Sequence, residues 1–543
     1  MRHIFMPIAS IALLAVMADS GHCGTLQGRV LDRSSRKLIP ARLYIESMDG
    51  KRSFYAKSAS PLGSAITYKV NRGQSRELHT TLSAHPYQVQ LPAGKYRVTA
   101  LRGKEYHPQS AIVEIDSNKN SQLDLFLTRW TNMAKQGWYS GDTHVHRKLS
   151  ELPNVILAED LNVALPLTYW VTDSEQNPAR DNRNKETIPP AKLIKIDSTH
   201  VIWPINTEYE IFTVGRKRHT LGAIFFLNHR KPLTLATPPI GPIARAVRSE
   251  NKVLMDLDKH NWPWSMMLPP VVGVNLFELT NNHVWRTKFL FRTWYPEYTA
   301  PYMKVEKDKK GGFTEKGWIQ FGLENYYTML NCGFPMQPTG GTASGVHPVP
   351  LGFGRVYVHL PKGFDYDQWI QGLSQGRSFV TTGPMLRIQF SGQDPGAKFT
   401  AKKNVKSMAV DVTGLAESRS PLDRIEVVVN GVVRKSIVPA NRKTDRGGFH
   451  SPVNCRIVMT RSSWLAVRCF QPQGKKRFRF AHTAPAHVNI VGRELRPRRA
   501  EVEYLIRRIE KEIARHRGVL STPALKEFET AGDVYRKLLR KAK

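Results

Sequence analysis

Apolar and polar residues alternate in short runs from Gly24 to about Thr128, the pattern of strands that bury one face. Gly28-Arg29-Val30-Leu31-Asp32 and Ala41-Arg42-Leu43-Tyr44-Ile45 show it, separated by a polar turn. Leu91-Pro92-Ala93-Gly94-Lys95-Tyr96-Arg97-Val98 adds a tight turn feeding another strand. From Gly137 to about Pro384 the texture changes. Residues 157–164 predict a helix that runs into an apolar strand over 165–171, ending at Thr172-Asp173-Ser174. Strand, helix, strand is the repeat of a barrel or a doubly wound sheet, whose chemistry gathers at the carboxyl ends of strands. Further strands are expected over 208–214, 221–227 and 273–279. Alternation returns over 385–490, where residues 425–429 precede the hairpin turn Asn430-Gly431. Near the end, Val502, Leu505, Ile506, Ile509 and Ile513 form one apolar helical face, Gly518 stops it, and Thr522-Pro523 starts a second helix. This hairpin is expected to dock on the preceding β-sandwich.

A chain of 543 residues exceeds one ordinary core, and its 41% hydrophobic content suits two to four folded domains rather than disorder. The formal charge of +35 is spread along the chain and suits an anionic environment. No arginine-rich block or nucleic-acid motif stands out, so no specific nucleic-acid partner is expected. Arg2 and His3 precede an apolar run from Ile4 to Met17, and Ala18-Asp19-Ser20 offers small residues for cleavage. Residues 1–20 therefore read as a signal peptide, for a periplasmic or secreted protein. No segment is long and apolar enough to be read as transmembrane. Cys455 and Cys469, in successive strand-like runs, are either a disulfide of an oxidising compartment or two reduced core thiols.

The candidate chemistry starts at Gly141-Asp142-Thr143-His144-Val145-His146. On a strand, His144 and His146 share a face with Asp142, and two imidazoles on one face make a pair of metal ligands. Glu208 and Glu210 likewise share a face; they are either an inward carboxylate for the same ion or the solvated side of an edge strand. Glu210 lies one step deeper on this face, as a candidate partner to His219. His260 lies in the turn Asp258-Lys259-His260-Asn261, before Trp262-Pro263-Trp264. Leu279-Thr280-Asn281-Asn282-His283 and Gly340-Gly341-Thr342-Ala343-Ser344-Gly345-Val346-His347 end later elements with polar groups.

In this order the motifs over residues 137–384 resemble the polymerase-and-histidinol-phosphatase (PHP) superfamily, in its CehA/McbA-type metallohydrolase branch. The resemblance implies a distorted α/β barrel holding two or three divalent ions that activate water against esters, phosphoesters, carbamates or amides. The resemblance also makes Glu208 the expected ligand, since Asn206-Thr207-Glu208 stands at its glycine-x-glutamate. Three positions depart from it, the least of them Thr143, where the family usually has leucine before the first histidine. Ser174 stands where the family has a histidine, and Ala343 where it has an aspartate. The N-terminal β unit resembles the carboxypeptidase-regulatory-like sandwich. The expected architecture is multidomain: signal peptide 1–20, β-sandwich 21–130, PHP-like α/β domain 137–384, β-sandwich 385–490 and basic helical hairpin 491–543.

Two functions follow. One is an exported metal-dependent hydrolase with about one zinc or manganese ion per chain, held by His144, His146, Glu208 and His260. There the ion would lower the pKa of water from about 16 toward 7. His283 or His347 would move the proton, and Arg286 would steady an anionic transition state of a small-molecule or polymeric anionic substrate. The other is a non-catalytic binding protein for an acidic polymer or glycan, with Trp262, Trp264 and Trp285 as its exposed surface.

Overall fold

The computed structural model describes residues 23–250, 252–401, 405–474 and 477–543. The export signal expected over residues 1–20 lies outside them. The N-terminal alternation forms three sheets, of four, six and two strands, around a shared apolar core. In Gly94–Leu101, Tyr96, Val98 and Ala100 point inward while Lys95 and Arg97 face water, as a period of two requires.

The central region is built on a seven-stranded mixed sheet running from Ala179–Arg180 to Gln337–Gly340. Leu254–Asp258, Leu276–Thr280 and Gln337–Gly340 are parallel neighbours, so their carboxyl ends share a rim. Thr207–Val214 joins them through the antiparallel strand Lys217–Leu227. Register then lines up Glu208, Phe225 and Asp256 in one row and Glu210, Ala223 and Asp258 in the next.

A second sheet, of twelve strands, contains Trp138–Val145, with Val163–Pro166 parallel on one side and Arg355–His359 antiparallel on the other. It does not stop at the expected domain boundary. Ser378–Thr381 pairs with Arg477–Thr483, so the sheet runs on into the C-terminal β region. The apolar run expected as one strand over 165–171 is two, Val163–Pro166 and Tyr169–Asp173, in different sheets. Pro166 has no N–H to extend the ladder. The neighbouring helix is Leu152–Ala158, earlier than expected, with a proline in its first turn and Asp160 in the left-handed region after it.

Seven α-helices are present among the described residues, and none is long and apolar enough to cross a membrane. The last two, Arg499–His516 and Thr522–Leu539, form the expected pair. Their docking differs from the expectation: they pack on Pro263–Val272 of the central region rather than on a β-sandwich. Tyr535 Oη donates to the Met266 carbonyl at 2.6 Å, and an Arg508 amino group donates to Asn261 O at 2.9 Å. His219 faces this pair as well; its Nε2 lies 2.8 Å from His516 Nδ1, so it cannot partner Glu210. Cys332, Cys455 and Cys469 are free thiols, and Cys455 and Cys469 sit in different sheets.

Candidate metal centre

Trp138–Val145 is buried along its whole length, and a bulge between Asp142 and Val145 turns its end toward the seven-stranded sheet. Asp142 holds that turn. Its carboxylate accepts from the His144 backbone N–H (3.0 Å), the Thr342 N–H (3.2 Å) and hydroxyl (2.6 Å), and the Gly352 N–H (2.8 Å). The two histidines are thus tied to the turn that follows Gln337–Gly340, whose Ala343 N–H donates to His144 O at 2.7 Å.

At this junction His144 Nε2 lies 3.2 Å from His146 Nε2, and His146 Nε2 lies 3.1 Å from Glu208 Oε2. His144 Nε2 is 4.0 Å from Glu208 Oε1. Bonds of 2.0–2.1 Å in a tetrahedral zinc site set ligand atoms about 3.3 Å apart, close to these spacings. Both Glu208 oxygens are buried and accept no hydrogen bond among the described residues. Buried carboxylates are rarely left so, and a cation is what such a pair of oxygens lacks. Burial pushes the Glu208 carboxyl up to about 7 and the His146 imidazole down to about 4. His144 is driven well below its ordinary value, by burial first and then by Lys259, His146, His347 and His283. Neutral imidazoles are the form that binds metal.

Glu278, on the strand Leu276–Thr280 of the seven-stranded sheet, presents both carboxylate oxygens to His144 Nδ1, at 3.3 and 3.4 Å. A carboxylate behind a histidine fixes its tautomer and leaves the other nitrogen free to ligate. Gly341 makes room for this arrangement, because a Cβ there would come within 3.0 Å of both His144 Cβ and Glu278 Oε1. Asp258, Glu210 and Glu278 extend the cluster. Three overlapping groups of ligand atoms lie within 4.8 Å of one another: His144–His146–Glu208, His144–Asp258–Glu278 and Glu208–Glu210–Asp258. These buried groups can hold a metal ion. Lys259 enters the same space. With φ of +57° it turns back on the strand end, and its ammonium pairs closely with Asp258 Oδ2 and lies 3.6 Å from Glu210.

The other sequence candidates are placed nearby or elsewhere. His260 is in the adjacent turn, its Nδ1 3.1 Å from the Asn281 amide and its ring against Trp318. It belongs to none of the three groups, although its buried Nε2 has no hydrogen-bond partner. His283 and His347 sit together with ring centroids 5.8 Å apart, and Arg72 reaches His347 Nδ1 at 2.6 Å. Arg286 instead pairs with Glu77 of the N-terminal region, its Nε donating at 2.8 Å. Ser174 bonds through its backbone to Thr213, and Ala343 is a left-handed turn residue.

The tryptophans expected as an exposed binding surface are buried: Trp262, Trp264 and Trp285 are 4%, 1% and 0% exposed. Trp264 packs where Gly222 has no side chain, and Trp285 Nε1 donates to Asn282 O. Glu278, Asp258 and Lys259 join the site beyond the residues expected from sequence. For the two carboxylates the signal is strand parity, since Asp256 and Asp258, like Glu278 and Thr280, alternate at carboxyl ends, whereas Lys259 follows the strand in a left-handed turn. No known protein-family model matches this chain, and no curated protein sequence matches it.

Proposed function

We propose that this chain is an exported metal-dependent hydrolase with one divalent ion held by His144, His146 and Glu208. The observation that carries this reading is the convergence of two neutral imidazole nitrogens on a buried carboxylate with no hydrogen bond of its own. A structural core gains nothing from such a trio, because an unpaired buried carboxyl costs stability unless a cation offsets it.

A divalent ion there would supply Lewis acidity and make hydroxide available near neutral pH. The chain's residues do the rest. Glu278 accepts the His144 Nδ1–H and keeps Nε2 directed at the site. Lys259 places a fixed ammonium against Asp258 and Glu210, where a second ion would otherwise be drawn. His283 and His347, adjacent and buried, form a proton path toward the rim, with Arg72 setting the His347 ring. The reading also rests on the resemblance to the PHP superfamily and its distorted α/β barrel. Single-ion occupancy agrees with Ser174 and Ala343 standing at two of its ligand positions.

The test is elemental analysis of purified protein supplied with zinc or manganese, beside hydrolysis of p-nitrophenyl acetate and p-nitrophenyl phosphate. About one ion per chain is expected, lost together with hydrolysis in His144→Ala. Protein that takes up no ion from excess metal would sink the reading.

A further inference from the structure

Where the N-terminal sheets, the central region and the C-terminal β region meet, a cavity of about 430 Å³ opens, within the size range of small-molecule sites. Six cationic side chains line it: Arg42 and Lys104 from the first region, Arg286 from the second, and Arg419, Arg477 and Arg479 from the third. No carboxylate lines it among the described residues.

These cations are under-compensated. Arg42 pairs with Glu159 at 2.7 Å and Arg286 with Glu77 at 2.8 Å, while Arg477 and Arg479 share Glu315 at 2.6 and 2.9 Å. Lys104 and Arg419 make no ion pair among the described residues. Lys104 Nζ donates to the Thr382 carbonyl at 2.8 Å, and Arg419 donates to Tyr106 O at 3.4 Å; their other side-chain N–H groups make no hydrogen bond among the described residues. Half-buried cations without counterions repel one another at low dielectric. Burial and then the fields of Arg355, Arg479, Arg419 and Arg42 push the Lys104 ammonium well below its ordinary range. Phe353 forms an apolar wall, with Lys104 Nζ 4.5 Å and the Arg479 guanidinium 5.0 Å from its ring centre. The Gln471 amide, also lining the cavity, makes no hydrogen bond among the described residues.

We infer that this cavity is a binding site for a doubly charged tetrahedral oxyanion, a phosphate or sulfate group, read chiefly by Lys104 and Arg419. Arginine forks and a lysine point charge suit such an anion, and hydrogen bonds between charged partners are the strong ones. The group is either a free ion or the end of a larger acid whose body lies on Phe353. Because three regions supply the cations, an occupied site also ties them together. The site shares no lining residue with the metal centre and stands independently of the hydrolase reading.

The experiment is calorimetric titration of the full chain with sodium phosphate, sodium sulfate, and a sulfated disaccharide beside its unsulfated parent, all at matched ionic strength in chloride. One saturable site is expected, at least about tenfold weaker in Lys104→Met and in Arg419→Gln. Neither substitution strands a buried carboxylate, so both variants should keep the wild-type circular dichroism, and zinc uptake should be unchanged. Binding of the inorganic ions assigns the site to a free anion. Binding of the sulfated sugar alone assigns it to the end of a larger molecule. Saturable binding that is equal in wild type and both variants, or no saturable binding by any arm, overturns the inference.

Discussion

Replacing Gly341 by alanine tests the metal centre through its geometry. The added Cβ would lie within 3.0 Å of both His144 Cβ and Glu278 Oε1, and 3.1 Å from the His144 backbone nitrogen. Ordinary contact needs 3.4–4 Å, so the His144 side chain and the Glu278 carboxylate must each retreat by roughly 1 Å, beyond the tolerance of about 0.5 Å of a working site. Neither can retreat freely, because both are fully buried and His144 is tied through its backbone to Asp142 and Ala343. Loss of the partner behind a ligating histidine typically costs about 10–100-fold in metal affinity, and overpacking costs about 1–3 kcal/mol of stability. Zinc titration of the purified variant should therefore show affinity reduced at least about tenfold. Gly372→Ala is the control. Gly372 lies in the helix Tyr366–Gln375, where a Cβ would press on Val358 of the strand Arg355–His359, away from the cluster, so stability should fall while zinc affinity holds. Wild-type zinc affinity in Gly341→Ala would refute the role given to the His144–Glu278 contact.

Three further outcomes are expected. Glu208→Gln should reduce zinc affinity by more than about 100-fold and Glu210→Gln by no more than about tenfold, since only Glu208 approaches His146 while Glu210 faces Lys259; the reverse order by titration would transfer the ligand role to Glu210. Lys259→Met should raise bound metal from about one ion per chain toward two, because Asp258 and Glu210 lose their ammonium; unchanged stoichiometry by elemental analysis would show that Lys259 does not stand in for an ion. At Glu77, burial alone would raise the carboxyl, but Arg286, His79 and Arg42 outweigh it and hold it far below its ordinary 4.5. Its stabilising contribution is thus present above that value and lost as pH falls below it. The melting-temperature gap between wild type and Glu77→Gln should be open at pH 7 and close in acid; a gap of the same size at every pH would refute the assignment.

The parts of the site legible in the sequence were those governed by strand parity. His144 with His146, and Glu208 with Glu210, are two residues apart, and a strand puts each pair on one face whatever surrounds it. Glu278 and Asp258 obey the same parity, but their use depends on parallel pairing between distant segments, which spacing along the chain does not encode. His260 is marked in the sequence by its place in a His-Asn step before proline and two tryptophans. Its turn is shaped by the left-handed Lys259, which brings an ammonium to the cluster and leaves the imidazole against Trp318. The N-terminal strands were readable as strands, yet nothing in their alternation said that Tyr68 and Arg72 would reach His347. The aromatic residues around 262 and 285 misled because tryptophan density signals burial as readily as exposure. The terminal helical pair was readable from its apolar stripe, whereas its landing place depended on a complementary surface supplied by Pro263–Val272.

The hairpin formed by Ala65–Arg72 and Ser75–Leu82 reaches over the last rim turn, where Tyr68 Oη accepts from the Gly345 N–H at 2.8 Å and donates to His347 O at 2.7 Å. For the chain's history this makes the N-terminal module a poor candidate for exchange. A replacement from another lineage would lack a hydroxyl and a guanidinium at the same reach, leaving His347 without its partner and opening the rim to water. Recombination at the module boundary should therefore be tolerated only when the hairpin travels with the rim. Across descendants of this chain, positions 68 and 72 should change in step with 345 and 347, a trace of shared inheritance between segments nearly 280 residues apart.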